Sequence, residues 1–266
     1  MDDLAGSKLS EIERGAIAPR TLTSKDEISG ADVADALLWP LSKTEAEALD
    51  YSKRIYNSGD DWWSRTRDAD VVVDSIWYMN STGSAHMSSL KRTNPLGVRP
   101  AFNIKLDSVL FVTNDGSNWS FTLLDSSRSF RAETADIAEE NGNKVLTVGY
   151  SGAEVGENEQ ISLIVKNSEG GLTGFYKRLA TNIKSADGVL EIDLSQIKLE
   201  EGDKIYLISE QDNGSMNTNY ACAPVEVSMT QPTAGVVISR FTGGISGSNT
   251  QTIREKGDAS DYKTTL

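Results

Sequence analysis

Apolar and polar positions change rhythm along this chain. In the first third, Leu9, Ile12 and Ile17 accompany Ser10 and Glu13, an S-x-x-E pattern. There serine caps a helix and glutamate reaches back to the serine amide, so a short helix is expected. Ala36-Leu37-Leu38-Trp39 is an unbroken apolar run stopped by Pro40, and it reads as a strand. Ser42-Lys43-Thr44-Glu45 repeats the capping pattern and opens a stretch of good helix formers. One helix is expected from there to about Tyr56, ending at Asn57-Ser58-Gly59.

From Trp62 the period drops towards two. Residues 71–79 are β-branched and aromatic, Asn80-Ser81-Thr82-Gly83 is turn chemistry, and 85–90 reads as the returning strand. Gly97-Val98-Arg99-Pro100-Ala101-Phe102 then leads into Ile104, Leu106 and the apolar residues 109–112. Helices early and strands late predict an α+β domain over residues 1–113. The polar stretch 113–118 reads as a domain boundary.

Beyond it no helix is expected. Strands are expected at 119–124, 145–150, 161–165, 172–179, 189–194, 205–209 and 225–229, with Gly, Asn and Asp between most of them. Val189, Glu191 and Asp193 alternate with Leu190, Ile192 and Leu194, so one face is largely acidic and the other apolar. Residues 119–230 therefore predict an all-β sandwich. Gln231-Pro232-Thr233 opens a tail, 231–266, expected to be a linker and the partial start of a further module, with one short strand at 236–238.

Size and charge narrow the function classes. At 266 residues the chain suits two domains. With 26 basic against 39 acidic residues the net charge is -13, a field that repels phosphate backbones. Nucleic acid is not an expected partner. No stretch approaches the roughly 20 apolar residues that span a bilayer, so membrane insertion is not expected of this segment. The N-terminus has neither a basic n-region nor an apolar h-region, so any leader of a secreted protein is expected upstream. A single cysteine, Cys222, excludes an intramolecular disulfide, and with His86 as the lone histidine no zinc cluster is available. Cys222 reads as a small buried hydrophobe.

Three motifs then carry a resemblance. Leu37-Leu38-Trp39-Pro40-Leu41-Ser42 stands before a Glu-rich helix, followed by Trp62-Trp63-Ser64-Arg65 and by Gly97-Val98-Arg99-Pro100-Ala101-Phe102. Their order and spacing resemble a domain-of-unknown-function family from secreted, multi-modular proteins of gut-dwelling Gram-positive bacteria. That family looks like a distant branch of the C-type lectin-like and formylglycine-generating-enzyme fold. The resemblance covers residues 35–112, and since the family begins further upstream, a copy shortened at its N-terminus is expected. Residues 119–230 resemble the immunoglobulin-like module that often follows. Tyr150-Ser151-Gly152-Ala153, Gly156-Glu157-Asn158, Ser209-Glu210-Gln211-Asp212-Asn213-Gly214 and Thr218-Asn219-Tyr220-Ala221 carry that likeness. The resemblance implies an extracellular or cell-surface location and a scaffold without catalytic residues.

The candidate ligand-binding residues are Trp63, Arg67, Asp68, Trp77, Tyr78 and Asn80, where aromatics meet polar turn residues. Trp39, Trp62, Trp63 and Trp77 are four of the five tryptophans, and they read either as sugar-stacking platforms or as core, with core preferred at Trp62 and Trp63. Trp77 and Tyr78 are adjacent on a strand and are expected on opposite faces. Arg65 and Arg99 read as structural pairs with an acid or with backbone carbonyls, and Arg67 as the better ligand candidate. The aspartates at 60, 61, 68, 70 and 74 lack the D-x-D-x-D-G spacing of a calcium loop, and the lectin calcium pattern is missing, so no metal and no cofactor are expected.

Formylglycine-generating chemistry needs paired thiols, and this domain has none. A Ser84–His86–Asp74 triad has no supporting context, and paired carboxylates in so acidic a chain carry no signal. The expectation is a non-enzymatic recognition or adhesion module for a glycan or a host protein. A purely architectural spacer is the second reading and an uncharacterised hydrolase the third.

Overall fold

The computed structural model describes residues 2–28, 31–55, 60–67, 76–86, 95–114, 119–140, 143–214, 217–228, 250–254 and 261–265. Among these, strands dominate and helices are few and short. No described helix is long and apolar enough to cross a membrane. The chain divides into two compact units. One is residues 1–124 with 215–218, the other 125–214 with 219–266.

The first unit opens with helices α1 (Asp2–Lys8) and α2 (Glu11–Ala16). Ser10 and Glu13 form the expected capping box, with Glu13 Oε2 accepting the Ser10 amide at 2.7 Å and Ser10 Oγ accepting the Glu13 amide at 3.1 Å. Short strands follow: β1 (Ile17–Ala18), β2 (Arg20–Leu22), β3 (Val33–Ala36) and β4 (Trp39–Pro40). The apolar run 36–39 is thus two strands with a bend at Leu37-Leu38. The bend serves two cores at once: Ala36 and Trp39 pack with Leu22, whereas Leu38 packs with Ala5 and Ile17. A straight strand would send its side chains to two opposite faces only.

The helix expected from Ser42 is also two pieces, α3 (Lys43–Ala48) and α4 (Tyr51–Arg54). Its capping box is present at Ser42 and Glu45. It stops early because Leu49 and Asp50 turn to extended backbone. The carbonyls left free there accept the Arg54 guanidinium, with Nε donating to Leu49 at 2.9 Å and Nη2 to Glu47.

Four strands then make the largest sheet lying wholly within this unit. They are β5 (Trp62–Arg67), β6 (Ile76–Met79), β7 (Ala85–His86) and β8 (Gly97–Val98), in the order β7-β6-β5-β8. The β6–β7 hairpin follows the expected turn at Asn80, with Gly83 at φ +77°. Next, β9 (Pro100–Ala101) pairs with β4 and β10 (Asn103–Ile104) with β1, closing the unit end to end. Strands β11 (Val109–Asn114) and β12 (Trp119–Leu124) form an antiparallel hairpin around the polar stretch read as a boundary. The division between units falls later, after Leu124.

Most described strands of the second unit lie in two sheets. One is β13 (Arg131–Glu140), β14 (Asn143–Ser151) and β17 (Gly188–Asp193), with β14 central. The other orders β16 (Leu172–Thr181), β15 (Glu159–Lys166) and β18 (Lys204–Gln211) side by side, and β18 also pairs with β19 (Asn219–Ala221) and β20 (Val225–Glu226). Leu146, Val148, Leu190, Ile192, Ile161, Leu163, Ile205 and Leu207 are buried, while Val189 and Glu191 are exposed, as the alternation predicted. Strand β13 was not legible: Arg131–Glu140 is rich in Ala and Glu, weak strand formers, and it is extended because β14 pairs with it over most of its length. In the tail, β21 (Thr250–Arg254) and β22 (Asp261–Thr265) pair antiparallel, and the strand expected at 236–238 lies outside the described residues.

Candidate ligand-binding site

The β5–β6 pairing sorts the aromatic candidates onto two faces. Trp62 lies opposite Met79, and Trp63 opposite Tyr78. Trp62 and Met79 are buried with Ala46, and the indole Nε1 of Trp62 donates to the Arg54 carbonyl at 2.9 Å. The Arg99 guanidinium covers the Trp62 ring at 5.0 Å and donates to the carbonyls of Lys53 and Arg54, at 2.6 and 3.3 Å. Arg99 is therefore a structural residue.

Trp63 and Tyr78 meet edge to face with ring centroids 6.3 Å apart and planes at 74°. Both residues are half-buried. That geometry is favourable for an aromatic pair beyond the area it covers. Trp77, one residue along β6, takes the alternate side, and the Lys43 ammonium stands 4.5 Å from its ring centroid. The structure therefore brings Trp63 and Tyr78 together and separates Trp77 from them. Arg67 is exposed at the end of β5, level with Ile76. Asp68 lies outside the described residues. The Asn80 side-chain oxygen Oδ1 accepts from the Thr82 amide and hydroxyl and from the Ser84 amide, at 3.1, 2.9 and 2.9 Å, so Asn80 builds the turn.

Behind this hairpin lies a charged network. Arg65 Nε donates to the Asp26 carbonyl at 2.7 Å, and its Nη1 to the Pro40 carbonyl at 2.8 Å and to Glu45 Oε2 at 2.5 Å. Arg20 pairs with Asp26 and with Glu45. Glu27 accepts from the hydroxyls of Ser42 at 3.2 Å and Thr66 at 2.5 Å. Burial pushes the Glu45 carboxyl up, but the bonds from Arg65 and Ser42 and the charges of Arg65 and Arg20 outweigh it and leave the group below its ordinary value. Glu27 is lowered in the same way, its burial outweighed by bonds from Thr44, Thr66 and Ser42. Held as ions and saturated with donors, these carboxylates fix α3 and β5 in place and have the wrong state for proton donation.

A second feature was invisible in the sequence. Leu9, Ile17, Leu38, Phe102, Ile104 and Phe121 line most of an almost wholly apolar recess of about 360 Å³. Lys8, Glu13 and Thr218 are the polar residues of its lining. Glu13 Oε1 accepts the Thr218 hydroxyl at 2.6 Å while Oε2 holds the Ser10 amide. Burial raises the Glu13 carboxyl, the bonds from Thr218 and Ser10 lower it further, and it stays ionised. The Ile17–Ile104 pairing assembles this recess from distant parts of the chain, and no local pattern announces that pairing.

Among the described residues no group of three or more His, Cys, Asp or Glu side chains is placed to hold a metal ion. Comparison of the chain with protein-family models, with curated proteins and with solved structures finds no match in any of the three.

Proposed function

We propose that this chain is a recognition segment of a bacterial surface or secreted protein. Its first unit is a lectin-like α+β domain that meets a glycan or a host protein through the β5–β6 hairpin. Its second is an immunoglobulin-like sandwich that acts as spacer or second adhesive unit. The observation that carries this reading is the half-exposed Trp63–Tyr78 pair with Arg67 exposed on the same strand as Trp63. An aromatic pair on a strand that also presents a cationic fork suits sugar faces and protein hot spots alike.

The sandwich assignment is supported by the connectivity. The first, second and fifth strands of the second unit share one sheet; the third, fourth and sixth to eighth share the other. That is the grouping of A, B and E against C, F and G in immunoglobulin-like domains, with the fourth strand beside the third. The net charge of -13 favours neutral glycans or basic protein surfaces over anionic polysaccharides.

The test is a titration of the protein against a glycan array and a panel of extracellular host proteins. Binding is expected to weaken about tenfold in Tyr78→Ala and in Trp63→Ala, and less in Arg67→Ala, because truncating an aromatic anchor costs more than 1 kcal/mol. Binding that survives the two aromatic changes, or that maps to the second unit alone, overturns the site. An empty panel favours the architectural spacer.

A further inference from the structure

The recess beneath α1 and α2 shares no residue with the aromatic hairpin and has a chemistry of its own. Small-molecule sites are concave, mainly apolar and furnished with a few placed polar groups, typically in cavities of about 300–1,000 Å³. At about 360 Å³ this recess lies at the small end of that range. Its walls are aliphatic and aromatic side chains, and Phe102 keeps 46% of its surface exposed. An apolar body of modest size is what such walls would bury.

The polar groups decide the other end of the ligand. Glu13 is committed, since one oxygen holds the Thr218 hydroxyl and the other the Ser10 amide. A cationic head would have to compete with both donors. Lys8 is exposed, and its ammonium makes no ion pair or hydrogen bond among the described residues. Its ammonium is therefore the charge at this recess still open to a partner. We propose that the recess is a binding site for a small apolar monocarboxylate, its hydrocarbon body against Ile17, Leu38, Ile104 and Phe121 and its carboxylate meeting Lys8.

Three probes of equal chain length separate body from head: octanoate, octanol and octylamine. Titration calorimetry is expected to give saturable binding of octanoate and octanol, with octanoate tighter by about fivefold, the value of an exposed ion pair. Lys8→Gln should reduce octanoate to the affinity of octanol and leave octanol unchanged. Methyl resonances of Ile17, Leu38, Ile104 and Leu123 should shift on binding, which locates the ligand without any substitution. Absence of saturable binding by all three probes overturns the proposal, as do methyl shifts elsewhere. Octylamine binding tighter than octanoate, or octanoate indifferent to Lys8→Gln, overturns the choice of a carboxylate. Glycan or protein binding at Trp63 and Tyr78 is read separately, so either site can fail alone.

Discussion

Arg128 holds Glu159 by two parallel hydrogen bonds, Nη1 to Oε2 at 2.7 Å and Nη2 to Oε1 at 3.0 Å, with both side chains nearly buried. Asp125 stands 3.6 Å from Arg128 Nε and completes the arrangement. Burial alone would lower the Arg128 pKa, but Glu159 and Asp125 overcome it and raise it. The pair ties the segment before β13 to the first residue of β15.

Breaking one side of this pair leaves a buried charge without its partner. Arg128→Leu and Glu159→Leu are each expected to destabilise the second unit by about 3–5 kcal/mol. The double replacement should cost less than the sum, because no charge is then stranded. Urea denaturation of the four proteins of this cycle measures it, and strict additivity would sink the coupling.

Arg65 makes a different demand, because three acceptors surround one planar guanidinium. Arg65→Lys keeps the charge but cannot reach the carbonyls of Asp26 and Pro40 and the Glu45 carboxylate together. A loss of about 2 kcal/mol is expected even for this change, since hydrogen bonds to charged groups contribute about 1.5–3 kcal/mol each. Thermal unfolding that places Arg65→Lys level with the parent would refute it.

Acid should loosen the first unit. Glu13, Glu27 and Glu45 all have carboxyls held below the glutamate value of 4.5 in the folded state. A depressed folded pKa contributes stability that is present above the unfolded value and is lost as pH falls through the folded one. Stability is therefore expected to decline from about pH 4.5 downwards. Glu27→Gln, which cannot be protonated there, should flatten that decline. Melting temperatures at stepped pH decide the matter, and an unchanged slope in the variant would count against the network.

Cys222 should be inert in the native protein. Burial pushes its thiol up to about 11, and its Sγ accepts the Ser209 amide at 3.1 Å in the core of the second unit. A thiol so protonated and so enclosed offers little thiolate at pH 8. Labelling with a thiol reagent is expected to be complete in denaturant and negligible without it; rapid native labelling would contradict the burial.

What was readable in the sequence was local. Ser10 with Glu13 and Ser42 with Glu45 announce helix starts because a capping box is closed within four residues, and both boxes form. The alternation through 189–194 announces an exposed and a buried face because successive residues of a strand point to opposite sides, and Leu190 and Ile192 are buried while Val189 is not. The turn at Asn80 is similarly self-contained, its side chain closing bonds within its own loop. Tertiary structure decided the rest. Residues 131–140 became a strand because β14 offered a partner, against their own weak preference. The run 36–39 bent because two separate clusters each took part of it. The aromatic candidates divided because pairing set Trp63 against Tyr78 and left Trp77 to Lys43. The recess exists because β1 found β10 far along the chain, and contacts between residues so distant in sequence leave no periodicity to read.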